Sequence, residues 1–132
     1  MTKTVNTSTT NNYNADMAEI KHYEAGARAS RVTEYKDMLF FTGHVAAGKQ
    51  PTIEEQTQAL LQRLEGLLED YGSDKNHILS ASIYLRNMED ADGMNSVWDK
   101  WIDEGCAPAR LCVQAQIAEG YLLEIALIAA KK

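Results

Sequence analysis

The sequence predicts an α+β domain: a mixed β-sheet with two helices packed on one of its faces. Two stretches carry apolar residues at helical spacing, and five others alternate or run apolar over strand length. Their order is strand, strand, helix, strand, helix, strand, strand. The bulk properties agree. The chain has 132 residues, 45% of them hydrophobic, with 13 Lys and Arg against 19 Asp and Glu and a net charge of −6. That is one ordinary globular domain rather than a disordered chain. The acidic balance argues against a nucleic-acid partner, which needs a basic face. No apolar run approaches the ~20 residues that span a bilayer, so no membrane role is expected. The opening MTKTVNTSTTNNYN lacks the apolar core of a secretory signal. Cys106 and Cys112 form neither a disulfide framework nor a zinc knuckle, so a cytoplasmic location is expected.

Residues 1–16 are rich in Thr and Asn and read as a flexible polar arm, leaving 17–132 as the single domain. Met38 to Val45 reads as a strand, with Ala29 to Tyr35 as its hairpin partner and Lys36-Asp37 at the turn. Pro51-Thr52-Ile53-Glu54-Glu55 then opens a helix with a Thr cap and a Glu three residues on. Ile53, Leu60, Leu61, Leu64, Leu67, Leu68 and Tyr71 make its apolar face, and Gly72 stops it. Ile78 to Arg86 alternates, with Leu79, Ala81, Ile83 and Leu85 as one set. A second helix is expected over Asp92 to Asp103, where Met94, Val97, Trp98, Trp101 and Ile102 share a face.

Ala109 to Ile117 alternates again, and Tyr121 to Ala130 is apolar on both faces except for Glu124. The expected buried set in the first is Ala109, Leu111, Val113, Ala115 and Ile117. Two helices cover only one sheet face. The other is expected to carry Ile78, Tyr84, Cys112, Leu122 and Ile128 beside Ser80, Ser82, Arg110, Gln114 and Glu124. Such a face is too apolar for water and too polar for a dry core, and implies packing on copies of itself in a closed oligomer.

Gly43 to Lys49 matches most of a phosphate-binding G-x-x-x-x-G-K loop. Gln50 stands where a Ser or Thr would hold Mg²⁺, and Pro51 delays the helix, so the segment reads as a plain strand-to-helix connection. His22, His44 and His77 are scattered, and no metal site or cofactor is expected. Arg110 and Glu124 stand out as charges on otherwise apolar or neutral strands. Buried charge is costly unless paired or used. They could form a mutual salt bridge that holds the oligomer. Alternatively they line a cleft where Arg110 grips a carboxylate and Glu124 handles a proton.

Pro108-Ala109-Arg110-Leu111-Cys112-Val113, followed by Leu123-Glu124-Ile125, resembles the C-terminal signature of the Rid (YjgF-like) family of reactive-intermediate deaminases. Thr42-Gly43, the helix from Thr52, and Asn95 extend the resemblance over roughly 27–132. It implies a chorismate-mutase-like fold and a homotrimer with a barrel-like centre and clefts between subunits. It also implies hydrolysis of small 2-imino and enamine acids, without a cofactor, to 2-oxo acids and ammonia. A non-catalytic ligand-binding or regulatory trimer on the same fold is one alternative. Another is the ribonuclease or translation-inhibitor role once attached to the family, which the acidic charge and the lack of a basic stripe disfavour. Carried over, Arg110 would hold the substrate carboxylate and Glu124 would activate water. Thr42, Gly43, Asn95 and Cys112 would complete the binding site. The first strand departs from the family pattern, with Ala27-Arg28-Ala29-Ser30-Arg31 in place of Gly-Pro-Tyr-Ser-Gln.

Overall fold

The computed structural model describes residues 5–8 and 19–132. Within them, seven strands form one mixed sheet: β1 (Val5–Ser8), β2 (Ile20–Ala25), β3 (Ser30–Tyr35), β4 (Met38–Phe41), β5 (Ile78–Leu85), β6 (Ala109–Gln114) and β7 (Leu123–Ala130). They lie in the order β1-β2-β3-β4-β7-β5-β6. Only β5 and β6 pair in parallel, and the helix α2 (Ala91–Trp101) lies in the connection between them, as a parallel crossover requires. The longer helix, α1 (Ile53–Asp70), follows β4. Of the arm expected over 1–16, Val5–Ser8 is strand and pairs antiparallel with β2; the rest lies outside the described residues.

Local chemistry fixes the ends of α1. The Thr52 hydroxyl accepts from the Glu55 N–H at 3.1 Å, satisfying one of the donors that the first turn leaves over. At the other end Ser73 N–H reaches back to Leu68 O and Gly72 N–H to Glu69 O. This double closure needs a left-handed residue at Gly72, where φ is +85°. Between the caps, Leu60, Leu61, Leu64 and Leu68 bury themselves against Leu39, Ile83, Ile125 and Leu127 of the sheet. From α2, Met94 and Trp98 enter the same core. Each such side chain contributes about 1.5–3 kcal/mol by leaving water.

Three features differ from the sequence reading. The sequence does not predict β1 or β2: Val5–Ser8 lies in a stretch rich in Thr and Asn, and Ile20-Lys21-His22-Tyr23-Glu24 mixes charge with bulk and becomes strand by pairing with β3 on one side and β1 on the other. In β5 a register shift between Ile78 and Ser80 buries Ile78 and turns Leu79 out to solvent, reversing the expected assignment of both. The third lies in β6. Its partners on β5 are Ala81 for Arg110 and Ile83 for Cys112, both core residues. Arg110, Cys112 and Gln114 therefore point to the helix side. Leu111 and Val113 lie on the open face, 47% and 43% exposed. The expected faces are exchanged because alternation shows that two sides exist, whereas the pairing register decides which one is inside.

The face away from the helices carries only part of the mixture expected of it. Ser80, Ser82, Tyr84, Glu124 and Ile128 lie there, whereas Arg110, Cys112, Gln114 and Ile78 do not, and Leu111 and Val113 take the place of the β6 residues. Its cross-strand rows include Phe40, Ile128 and Ser80, and next to them Glu124, Tyr84 and Val113. The cap geometry at Gly72 gives a direct test. Gly72→Ala should lower unfolding free energy by about 1–2 kcal/mol, the cost of a left-handed L-residue, in urea denaturation. An unchanged midpoint would mean that the turn relaxes freely.

Candidate functional site

β4 and β7 pair regularly from Met38 with Ala130 to Phe40 with Ile128. Further along, His44 pairs with Ile125, through hydrogen bonds of 2.9 and 3.0 Å between their backbones. Four residue steps on one strand thus oppose three on the other, which is a β-bulge. The extra residue turns His44 inward, where it is 6% exposed. It also sets Gly43 against the Glu124 carboxylate. A Cβ at Gly43 would overlap that carboxylate, so the close approach depends on glycine. Thr42, next in the chain, is exposed, and its backbone N–H bonds Arg31 O at 2.9 Å. Thr42, Gly43 and Glu124 are therefore gathered at one place. Tyr84, directly cross-strand from Glu124, belongs beside them; its position on the open face was read from the sequence, its neighbour was not.

Arg110, Asn95 and Cys112 form a second group at the β6 edge. The Arg110 Nη1 donates to Asn95 Oδ1 at 2.7 Å, and its guanidinium lies over the Trp98 ring at 5.4 Å. Among the described residues the Asn95 bond is the only hydrogen bond of this side chain, and Arg110 is exposed. The ring and the amide hold the guanidinium in place while leaving most of its donors available, which suits a planar carboxylate. Burial raises the Cys112 thiol above its ordinary range and the Arg110 charge only partly offsets this, so the thiol stays protonated at neutral pH.

These two groups do not meet within one chain. Glu124 is on the open face of β7 and Arg110 on the helix side of β6, with β5 between their strands. The ion pairs among the described residues do not include Arg110 with Glu124. Nor do three His, Cys, Asp or Glu side chains among them converge as metal ligands. A groove of about 540 Å³ between α1 and α2, bordered by Leu61, Glu65, Val97 and Trp101, contains none of the six candidate residues. No helix among the described residues is long and apolar enough to cross a membrane.

His44 Nδ1 lies 2.7 Å from Thr42 O, so it carries the proton and donates. Burial holds the imidazole below its usual pKa. The Thr42 bond opposes this, the Arg63 and Arg31 charges reinforce it, and Glu24 weakly counters it. His44 is thus a neutral part of the bulge.

A two-helix sheet of this topology is a chorismate-mutase-like α+β fold. The family model described as Endoribonuclease L-PSP matches residues 10–131. The RutC family protein YoaB of Escherichia coli is 38% identical over 112 residues, covering 84% of this chain and 97% of its own. A RutC family protein of Haemophilus influenzae is 37% identical over 108 residues, 78% of this chain and 90% of its own. Among solved structures, a YjgF family member from Neisseria meningitidis superposes with a TM-score of 0.80 at 38% identity, covering 86% of this chain and 95% of that one. The chain belongs to this Rid/YjgF-like family, also called RutC.

Two outcomes follow from the bulge. Gly43→Ala should push the Glu124 carboxylate, the far end of a flexible side chain, aside and cost at most about 1 kcal/mol, and adding Glu124→Ala should recover much of it. Additive losses in urea unfolding would show that the two residues do not touch. For His44, the unfolded chain takes up a proton below about pH 6.5 while the folded imidazole resists it. Stability should therefore be complete above that pH and fall as pH drops through the lower folded value. His44→Gln should flatten the fall of melting temperature as pH drops below about 6.5; an unchanged slope would assign it to other groups.

Proposed function

We propose that this chain hydrolyses reactive 2-imino and enamine acids, of the 2-aminoacrylate and 2-iminopropionate type, to 2-oxo acids and ammonia. Family membership and the matching motif residues support this reading. The observation that carries it is the held but available Arg110 guanidinium, together with a carboxylate and a tight glycine turn on the opposite face. Because the two groups lie apart in one chain, the site forms between copies. The β6 edge of one subunit brings Arg110 to the Thr42-Gly43-Glu124 patch of a neighbour in a homotrimer. Burial of the mixed open face, with Phe40, Leu111 and Val113 exposed on it, drives that assembly.

The substrate is already activated, since a protonated C=N carbon is electrophilic. Arg110 fixes the carboxylate with two parallel hydrogen bonds, and Asn95 and Trp98 keep the guanidinium plane oriented. Glu124 takes a proton from water as its oxygen adds to C2. That proton is then delivered to the nitrogen, which leaves as ammonia, and the Glu124 carboxylate so regenerated takes the hydroxyl proton as the C2–O bond becomes the carbonyl; this last proton passes to the departing ammonia as ammonium. For an enamine, protonation at C3 first gives the imine. The Cys112 thiol acts as a small neutral wall rather than a nucleophile. The reaction takes place in the cytoplasm on a free small molecule.

An amino-acid oxidase supplying a series of imino acids, with their disappearance timed, tests the activity. Arg110→Ala should lower kcat/KM by the equivalent of about 2–5 kcal/mol while the trimer persists in sedimentation equilibrium. Arg110→Lys should also lose strongly, because a point charge cannot replace the fork. Full turnover by a folded Arg110→Ala trimer would remove the carboxylate clamp. A chain that binds these acids without turnover would be the non-catalytic ligand-binding trimer. RNA binding with steep salt dependence would instead favour the activity in the family model's description.

A further inference from the structure

We propose that Gln56 is a positioning residue for Glu124, holding the two chain segments that bring Glu124 and Gly43 together. Gln56 lies on the core side of α1 and is 1% exposed, in a face otherwise made of Ile53, Thr57, Leu60 and Leu61. A buried amide is costly there unless its donors and acceptor are satisfied. All of its partners are main-chain groups of two loops. Its Nε2 donates to Gln50 O at 2.7 Å and to Gly120 O at 3.1 Å, and its Oε1 accepts from Leu122 N–H at 2.8 Å. The first loop leaves Gly43 and the bulge; the second ends at Leu122, next to the start of β7 and two residues before Glu124.

Arg86 completes the clamp. Its Nε donates to Tyr121 O, its Nη2 to Ile117 O and Ala118 O, and its backbone N–H to Leu122 O. The peptide groups flanking Leu122 are thus pinned from both sides, by Gln56 at its N–H and by Arg86 at its carbonyl. Glu124 follows on a rigid lead-in, and its carboxylate depends on angstrom-scale placement over Gly43. Supporting hydrogen bonds of this kind keep a reacting group in productive geometry. The device rests on the proposed role of Glu124, and its test separates the two.

Gln56→Met keeps the volume and removes the three side-chain bonds of Gln56 while leaving those of Arg86. Imine hydrolysis should lose about tenfold or more in kcat with KM changed less than about threefold, since Arg110 still binds substrate. In a Glu124→Gln background the same substitution should add little further loss, because Gln56 acts through Glu124. An unchanged kcat, or losses that multiply in the double variant, would overturn the proposal. If Gln56→Met does not fold, Gln56→Glu serves. It keeps the acceptor for Leu122 but opposes two carbonyls when ionised, so its kcat relative to wild type should recover as pH is lowered and the carboxyl regains a proton. A flat ratio would overturn the proposal. If the wild-type protein turns over no imino acid, the functional reading falls, and hydrogen exchange decides the device alone. The Leu122 to Glu124 amides should exchange faster in the variant than in wild type while those of β5 facing β6 do not. Equal rates would overturn it.

Discussion

The bulge between β4 and β7 is the constraint on which the candidate site depends. One extra residue between Phe40 and His44 shifts the ladder from the Phe40–Ile128 register to the His44–Ile125 register. With a regular ladder His44 would lie with Phe40 on the open face, and Gly43 would not sit under the Glu124 carboxylate. The bulge buries the histidine, frees the glycine backbone for close approach, and gives the polar end of the open face its shape. It is held from behind by α1: Arg63 Nη1 donates to Val45 O, and Gln56 holds Gln50 O.

The two groups of candidate residues are built by different means. The Gly43–Glu124 group is a main-chain construction, stiffened by loops tied to buried side chains. The Arg110 group is a side-chain construction at a sheet edge, where an aromatic ring and an amide of α2 hold a guanidinium that remains open to solvent. An exposed edge strand with apolar Leu111 and Val113 on one side is also a liability for a lone chain. In the proposed trimer that surface is covered and the two groups meet, so stability and function would draw on the same contact.

Elsewhere the sheet satisfies its buried polar groups locally. The Tyr23 hydroxyl donates to Glu34, whose other oxygen accepts from Lys131 at 3.2 Å. Burial first, and then this bond, raise the Tyr23 pKa to about 12. Tyr71 bonds Glu24 in the same way, with its pKa also raised to about 12. These pairs tie β2 to β3 and to the end of α1, which accounts for the order of a strand whose own sequence gave little sign of it.

The helices, the caps of α1 and the β3–β4 hairpin were legible in the residues, because helical spacing, a Thr cap and a C-terminal glycine act over a few neighbours. The motif residues Arg110, Glu124, Gly43, Thr42, Asn95 and Cys112 were legible for the same reason: they stand in short, recognisable strings. Gln56 could have been noticed as a polar residue three after Ile53 and four before Leu60, on a face of leucines. Only the tertiary structure assigned the faces of β6, turned Leu79 out and His44 in, and separated Arg110 from Glu124. Period-two alternation is unchanged when a strand is flipped or a residue inserted, so the sequence by itself determined which residues share a side. Long-range hydrogen-bond register decided which side is the core.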